Sequence, residues 1–183
     1  MGSENATASL RQHLRTNRPS FVLSAGFAGG LNPHLAMGTT LFSRCGTQDH
    51  PLLKPLQSLA DKEGTFISHD RVIAKAKEKQ RLHQETQHDA VEMESSAIAS
   101  VAQDHRIPCL TLRVISDAAD EDLPLDFNHL MTRDKRIHFP KLLWALARNP
   151  EKIPTLIRFN HEISRYARTL AELISKILPK KNV

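Results

Sequence analysis

Residues 91–98, VEMESSAI, and residues 113–117, RVISD, decide the fold of this chain. In the first stretch, two acidic residues flank a methionine at the point where an apolar strand gives way to a helix. In the second, an apolar run ends in Ser116 and Asp117. Ligands of an open α/β sheet bind in the crevice beyond the carboxyl ends of its strands. The two stretches therefore predict a ligand site formed by residues at the ends of two strands.

Strand-like and helix-like patterns alternate around these two stretches. Short apolar runs typical of strands lie at residues 21–23, 39–43, 64–68, 90–93 and 108–117. Patterns with helical period lie at residues 6–15, 52–59, 95–105, 139–147 and 158–178. Residues 74–87 are polar and are expected to form an exposed helix or a mobile loop. This alternation predicts a layered α/β domain over residues 1–183, with a helical tail over residues 130–183 packed on it.

Composition sets limits on the class of protein. The chain has 183 residues, of which 40% are hydrophobic and 25% charged, as in an ordinary globular domain. No apolar run approaches the length of a membrane span, and no secretory signal is visible, so we expect a cytoplasmic protein without a membrane span. Cys45, Cys109 and the ten histidines have no metal-ligand spacing, so no metal site is expected.

The formal net charge is +5, which raises the alternative of a nucleic-acid-binding protein. However, the basic residues are scattered along the chain, and one Trp and one Tyr cannot form a stacking platform for bases. Solvated helix faces account for the charge, so nucleic acid is not an expected partner. Binding to nucleic acid would weaken steeply with added salt, which separates this alternative from the others.

A third motif, SAGFAGGLNP at residues 24–33, accompanies the two stretches in the order seen in one protein family. Over roughly residues 1–130 the chain resembles the superfamily of purine nucleoside phosphorylases and 5'-methylthioadenosine/S-adenosylhomocysteine nucleosidases. The resemblance implies a three-layer α/β/α sandwich with a mixed central sheet. It also implies cleavage of the N-glycosidic bond of a purine (adenosyl-type) nucleoside, and a homo-oligomer.

The resemblance implies roles for the residues around the bond to be cleaved. Asp117 would be the general acid on the N7 side of the purine, with Ser116 beside it. A helix N-cap formed with Ser116 is the alternative reading of Asp117. Glu94 would accept hydrogen bonds from the vicinal hydroxyls of ribose, and Met93 would pack against the sugar. Glu92 would either contact substrate or form a supporting salt bridge with Arg113.

The same resemblance places further residues around the base. Val72, within SHDRVI at residues 68–73, would lie over the purine. The glycine-rich segment is expected to be a strand-to-loop turn that shapes the pocket floor. There, Phe27, Ala28 and Gly29 would line the pocket, and Gly26 and Gly30 would support it by permitting unusual backbone conformations.

Two departures from the family pattern leave alternatives open. Family members begin with strands that precede the element resembled by residues 1–6, so the first strands and the glutamate that activates water are expected to be missing, with a gap or exposed edge in the sheet. Phe27 replaces the serine or threonine that helps to hold the nucleophile, so either water or inorganic phosphate remains as co-substrate, and no other cofactor is expected. The alternative function is a non-catalytic nucleoside-binding or structural relic.

Overall fold

The computed structural model describes residues 2–45, 50–130 and 138–178. These residues form six strands and seven α-helices. The strands are β1 (Val22–Gly30), β2 (Thr40–Cys45), β3 (Lys62–Glu63), β4 (Phe66–Ser68), β5 (Ala90–Glu92) and β6 (Cys109–Asp117). The helices are α1 (Ser3–Leu14), α2 (Leu53–Leu59), α3 (Ala76–Thr86), α4 (Ser95–Asp104), α5 (Phe127–Leu130), α6 (Phe139–Arg148) and α7 (Ile153–Ile177), and a 3-10 turn (Pro150–Lys152) precedes α7.

The strands form one mixed sheet in the order β3-β2-β6-β1-β5-β4. Strand β6 is parallel to β1 and antiparallel to β2, and β1 is antiparallel to β5. Eight of the nine residues of β6 are buried. A continuous apolar strand of this kind requires cover on both faces of the sheet. The predicted mixed central sheet is therefore confirmed.

Helices cover both faces of the sheet. On one face, α2 and α7 pack over Leu110, Leu112 and Val114 of β6, with Tyr166 and Leu170 of α7 in the same cluster. On the other face, α4 contacts β6 and β1, and α1 packs on α4. The three-layer α/β/α arrangement is thus as predicted. Among the described residues, none of the helices has the length and apolar character that a membrane crossing requires.

The glycine-rich segment differs from its prediction as a turn. Residues 24–30 continue β1 without a break, and neither Gly26, Gly29 nor Gly30 has a positive φ. Gly29 and Gly30 instead allow close approach of β6: a Cβ on Gly30 would lie 3.1 Å from the carbonyl oxygen of Asp117. The prediction of a turn was wrong because glycine is favoured for two different reasons. It accommodates a positive φ, and it also leaves space for a closely packed neighbouring strand, so its presence alone does not distinguish the two.

The sheet is incompletely paired beside β1. In the described part of the chain, β5 pairs with β1 only at Gly29 and Gly30, so residues 22–28 have a strand neighbour on the β6 side alone. The expected gap in the sheet lies at this position.

Candidate functional site

The candidate general acid, Asp117, is the last residue of β6. Its backbone lies beside Gly29 of β1, and only 6% of the residue is exposed. A Cβ on Gly29 would lie 3.2 Å from Asp117 Oδ2, so a larger residue would press directly on the carboxylate. The pairing of β1 with β6 therefore places the carboxylate at the sheet end where the sequence predicted it.

Both oxygens of the Asp117 carboxylate contact protein groups. The hydroxyl of Ser116 donates to Oδ1 and also lies 3.2 Å from the carbonyl oxygen of Ala28. The ammonium of Lys79 forms an ion pair with Oδ2. The carboxylate is thereby held between the end of β6 and helix α3.

Lys79 is a site residue that the sequence prediction missed. Residues 74–87 were expected to form an exposed helix or a mobile loop, and α3 is a helix, but Lys79 within it has 0% exposure. Its Nζ donates to the carbonyl oxygens of Ala118 and Glu121, each at 2.8 Å. A signal was present in the sequence: Lys79 lies three residues before Leu82, on the helix face that turns inward.

A cavity of about 500 Å³ opens beside Asp117. Its walls come from the segment after β6, from Met37 and from the first turns of α7. The lining residues are Met37, Asp117, Glu121, Asp122, Leu123, Pro124, Thr155, Arg158, Phe159 and Glu162. Neither Glu94 nor Met93 belongs to this lining, so the cavity unites the predicted acid with the helical tail rather than with the predicted ribose site.

A second buried ion pair joins Glu92 of β5 to Arg113 of β6 at 2.9 Å. Ser68 and the Ser95 hydroxyl donate to Glu92 Oε1, and the backbone N–H groups of Glu94 and Ser95 donate to Oε2. Since protein donors occupy both oxygens, this geometry favours the supporting salt bridge over the substrate contact.

Arg113 completes this buried centre. Its guanidinium donates to the carbonyl oxygen and to the hydroxyl of Ser24, both at 2.8 Å. The side chain lies across Gly26, where a Cβ would be at an ordinary contact distance of 3.7 Å, so the supporting role of Gly26 stays a prediction. Burial opposes ionisation of Glu92, but hydrogen bonds from Ser68, the Glu94 backbone and Arg113 outweigh it and lower the pKa of Glu92 below its ordinary value.

Glu94 and Met93 follow β5 and are both half-buried. Glu94 is the N-cap residue of α4, and its Oε1 accepts a hydrogen bond from the backbone N–H of Gly2 at 3.0 Å. Asp117 and Val91 flank Gly29 from opposite sides, two strand spacings or about 10 Å apart. Glu94 lies three residues beyond Val91. The ribose-binding roles of Glu94 and Met93 stay predictions.

The remaining predicted pocket residues occupy three different surroundings. Val72 lies in the loop before α3, where its backbone N–H and C=O bond to the side-chain amide of Asn128 at 2.9 and 2.8 Å. Phe27 packs against the core cluster shared with α7, and Ala28 is buried in a second cluster. Asn128, which sequence reasoning missed, therefore fixes the loop that carries Val72.

In the described parts of the chain, no group of three or more His, Cys, Asp or Glu side chains is placed so that it could hold a metal ion.

Comparison with known proteins gives a family match and several relatives. The model of the phosphorylase superfamily matches residues 52–148. An aminodeoxyfutalosine nucleosidase of Helicobacter pylori is 38% identical over 77 residues, which are 42% of this chain and 34% of that protein. The match thus spans about a third of that relative's length. A 5'-methylthioadenosine/S-adenosylhomocysteine nucleosidase of Staphylococcus epidermidis is 26% identical over 164 residues, covering 73% of this chain and 72% of the relative.

Solved structures show the same fold. The futalosine hydrolase of Helicobacter pylori superimposes with a TM-score of 0.66 at 22% identity, covering 97% of this chain and 75% of that one. A Campylobacter jejuni 5'-methylthioadenosine/S-adenosyl homocysteine nucleosidase superimposes with the same TM-score at 19% identity, covering 97% and 76%.

Proposed function

Because this chain belongs to the phosphorylase superfamily, we propose that it cleaves the N-glycosidic bond of an adenosine-type purine nucleoside. The observation that carries the proposal is the buried carboxylate of Asp117, at the carboxyl end of β6 and in the wall of a cavity of about 500 Å³. Relatives named as nucleosidases for methylthioadenosine, S-adenosylhomocysteine and aminodeoxyfutalosine support the same bond as the target.

In the proposed reaction, the bond between the sugar C1' and the purine N9 breaks, and its electron pair leaves with the base. Asp117 gives a proton to N7 as charge builds on the purine, and the Ser116 hydroxyl orients the carboxyl group. Glu94 accepts hydrogen bonds from the ribose hydroxyls, and Met93 packs against the sugar. Holding the sugar and the acid in a fixed relation lowers the entropic part of the barrier.

We propose water as the nucleophile. The residue at position 27 is a phenylalanine that packs into the core, so it offers no hydroxyl to a phosphate. Inorganic phosphate as co-substrate is the alternative, and we propose no other cofactor.

The proposal also covers the oligomeric state, the cellular compartment and the type of partner. We propose a cytoplasmic homo-oligomer that acts on a small nucleoside and not on nucleic acid. Light scattering coupled to size-exclusion chromatography gives the oligomeric state directly. A monomeric mass would remove the oligomer from the proposal without touching the reaction.

The test is a base-release assay on purified protein with methylthioadenosine, S-adenosylhomocysteine, aminodeoxyfutalosine, adenosine and inosine, each with and without phosphate. Release of adenine without phosphate is expected, and a host extract purified in parallel reports contaminating activity. Release that requires phosphate would replace the hydrolase by a phosphorylase. Nucleoside binding in calorimetry without any release would identify the non-catalytic relic, and the absence of both would leave a structural domain.

A further inference from the structure

Lys79 is a buried cation that the proposed reaction does not yet use. Its side chain has no solvent exposure, and a charge is costly to bury unless partners compensate it. The ammonium donates to the carbonyl oxygens of Ala118 and Glu121, each at 2.8 Å, and forms an ion pair with the Asp117 carboxylate. The site is therefore built for a protonated amine.

We propose that Lys79 is a positioning residue that acts through Asp117 and supplies the proton that Asp117 passes to the departing purine. This inference rests on the proposed function and adds the proton source to it. Among the three partners of the ammonium, the two carbonyl oxygens are very weak bases, so the carboxylate is the group that takes the proton. That carboxylate lines the cavity, whereas Lys79 does not.

The proton balance of the step is closed. The Lys79 ammonium transfers a proton to the Asp117 carboxylate and becomes an amine. Asp117 passes this proton to N7 while the C1'–N9 bond breaks, so the neutral base leaves and Asp117 is again a carboxylate. Water adds its oxygen to C1' and releases one proton, which restores the ammonium. The sum is nucleoside plus water giving ribose derivative plus purine.

Two substitutions at Lys79 distinguish its role as a proton source from the effects of its positive charge and its packing. Lys79→Met removes the charge in a side chain of similar length. Lys79→Arg keeps the positive charge, but a guanidinium does not release its proton. Both variants are expected to lower kcat on the nucleoside that the wild type cleaves by about 100-fold, with KM changed by less than about threefold. Lys77→Met, an exposed position on the same helix, is the matched control and retains wild-type rates.

A substrate that needs no proton at N7 supplies the second readout. In 7-methylguanosine the base is already cationic, and in a 4-nitrophenyl riboside the leaving group is a weak base. On these substrates Lys79→Met is expected to stay within about threefold of wild type. Lys79→Met combined with Asp117→Asn is expected to be no slower than Asp117→Asn alone, because both act in one step.

The outcomes that overturn the inference are distinct from failure of the proposed function. A folded Lys79→Arg or Lys79→Met protein with wild-type kcat overturns it. So does an equal loss on substrates that do and do not need the proton, or a loss that multiplies with that of Asp117→Asn. If thermal scans show that both variants are unfolded, Lys79 belongs to the fold and not to proton supply. A wild-type protein that releases no base from any nucleoside overturns the proposed function, and this inference with it.

Discussion

Two buried ion pairs lie on the same strand of this molecule and differ in what remains available to a ligand. In the middle of β6, Arg113 pairs with Glu92, whose two oxygens accept from Ser68, Ser95 and backbone N–H groups as well. At the end of β6, Asp117 pairs with Lys79 but also lines a cavity. Both pairs bury charge, so contact of the carboxylate with a cavity is the property that separates the proposed general acid from the central pair.

The positions of the two ion pairs along β6 explain why only one of them contacts the cavity. Arg113 and Asp117 are four residues apart, but the register of β6 against β1 shifts between Ile115 and Asp117. Arg113 therefore lies beside the Cβ position of Gly26 and Asp117 beside that of Gly29, on opposite faces of β1. Arg113 lies in the middle of β6, where Ser24 of β1 accepts from its guanidinium and Ser68 of β4 donates to its partner Glu92. Asp117 lies where the strand ends, and the neighbouring strand contributes Gly29, whose lack of a side chain leaves space for the carboxylate.

The strongest test of the comparison is Asp117→Asn. An amide cannot donate a proton as an acid does, so base release is expected to fall by about 10²- to 10⁴-fold. Steady-state kinetics measure the loss, and circular dichroism checks that the fold persists. The unfolding temperature is expected to fall, because Lys79 loses its counter-charge. Asp120→Asn, an exposed neighbour, is the control. Wild-type rates in Asp117→Asn would remove Asp117 from the mechanism.

The central pair is tested by Arg113→Met. This change leaves the Glu92 carboxylate buried without its cation, and the free energy of unfolding is expected to fall by about 3–5 kcal/mol. Urea denaturation measures the change, and Glu92→Gln in the same protein should recover part of it. The exposed pair of Arg81 and Glu85 provides the contrast, because Arg81→Met should leave the urea midpoint unchanged. Equal midpoints for the two arginine variants would contradict the structural role of Arg113.

A smaller effect follows from the pKa of Glu92, which lies below its ordinary value of 4.5 in the folded protein. A carboxyl group with a depressed folded pKa adds stability above its unfolded pKa and loses it as the pH falls through the folded pKa. The stability advantage of the wild type over Glu92→Gln should therefore be complete at pH 7 and shrink below pH 4.5. Urea midpoints between pH 7 and pH 3 measure it. An advantage that is independent of pH would show that the Glu92 charge does not contribute.

The smallest effect concerns the other end of β6, where Cys109 lies directly opposite Cys45 of β2. A hydrogen bond from the Cys109 thiol lowers the pKa of Cys45 to about 7, while the pKa of Cys109 is raised. Alkylation of Cys45 by iodoacetamide, followed by mass spectrometry, should reach half its maximal rate near pH 7. Cys109→Ala should move that midpoint to higher pH. An unchanged midpoint would show that the second thiol has no such effect.

Much of the site could be predicted because its residues follow strands. Asp117 ends β6, and Glu92 pairs with Arg113 as proposed from the family pattern. Lys79 was missed because its helix is mostly polar, and the choice between an exposed and a buried lysine depends on what packs against it. The turn expected at the glycine-rich segment was wrong for a similar reason, since only the neighbouring strand shows that Asp117 needs the space beside Gly29.

By themselves, the residues of this chain determined the alternation of strands and helices, the family and the carboxylate at the end of a buried strand. These properties follow from local periodicity and from short motifs, which are encoded within a few consecutive residues. Tertiary structure alone decided that Lys79 meets Asp117, 38 residues further along the chain, and that the helical tail rather than residues 93–94 walls the cavity. Such contacts depend on how distant elements pack, and no local pattern specifies them.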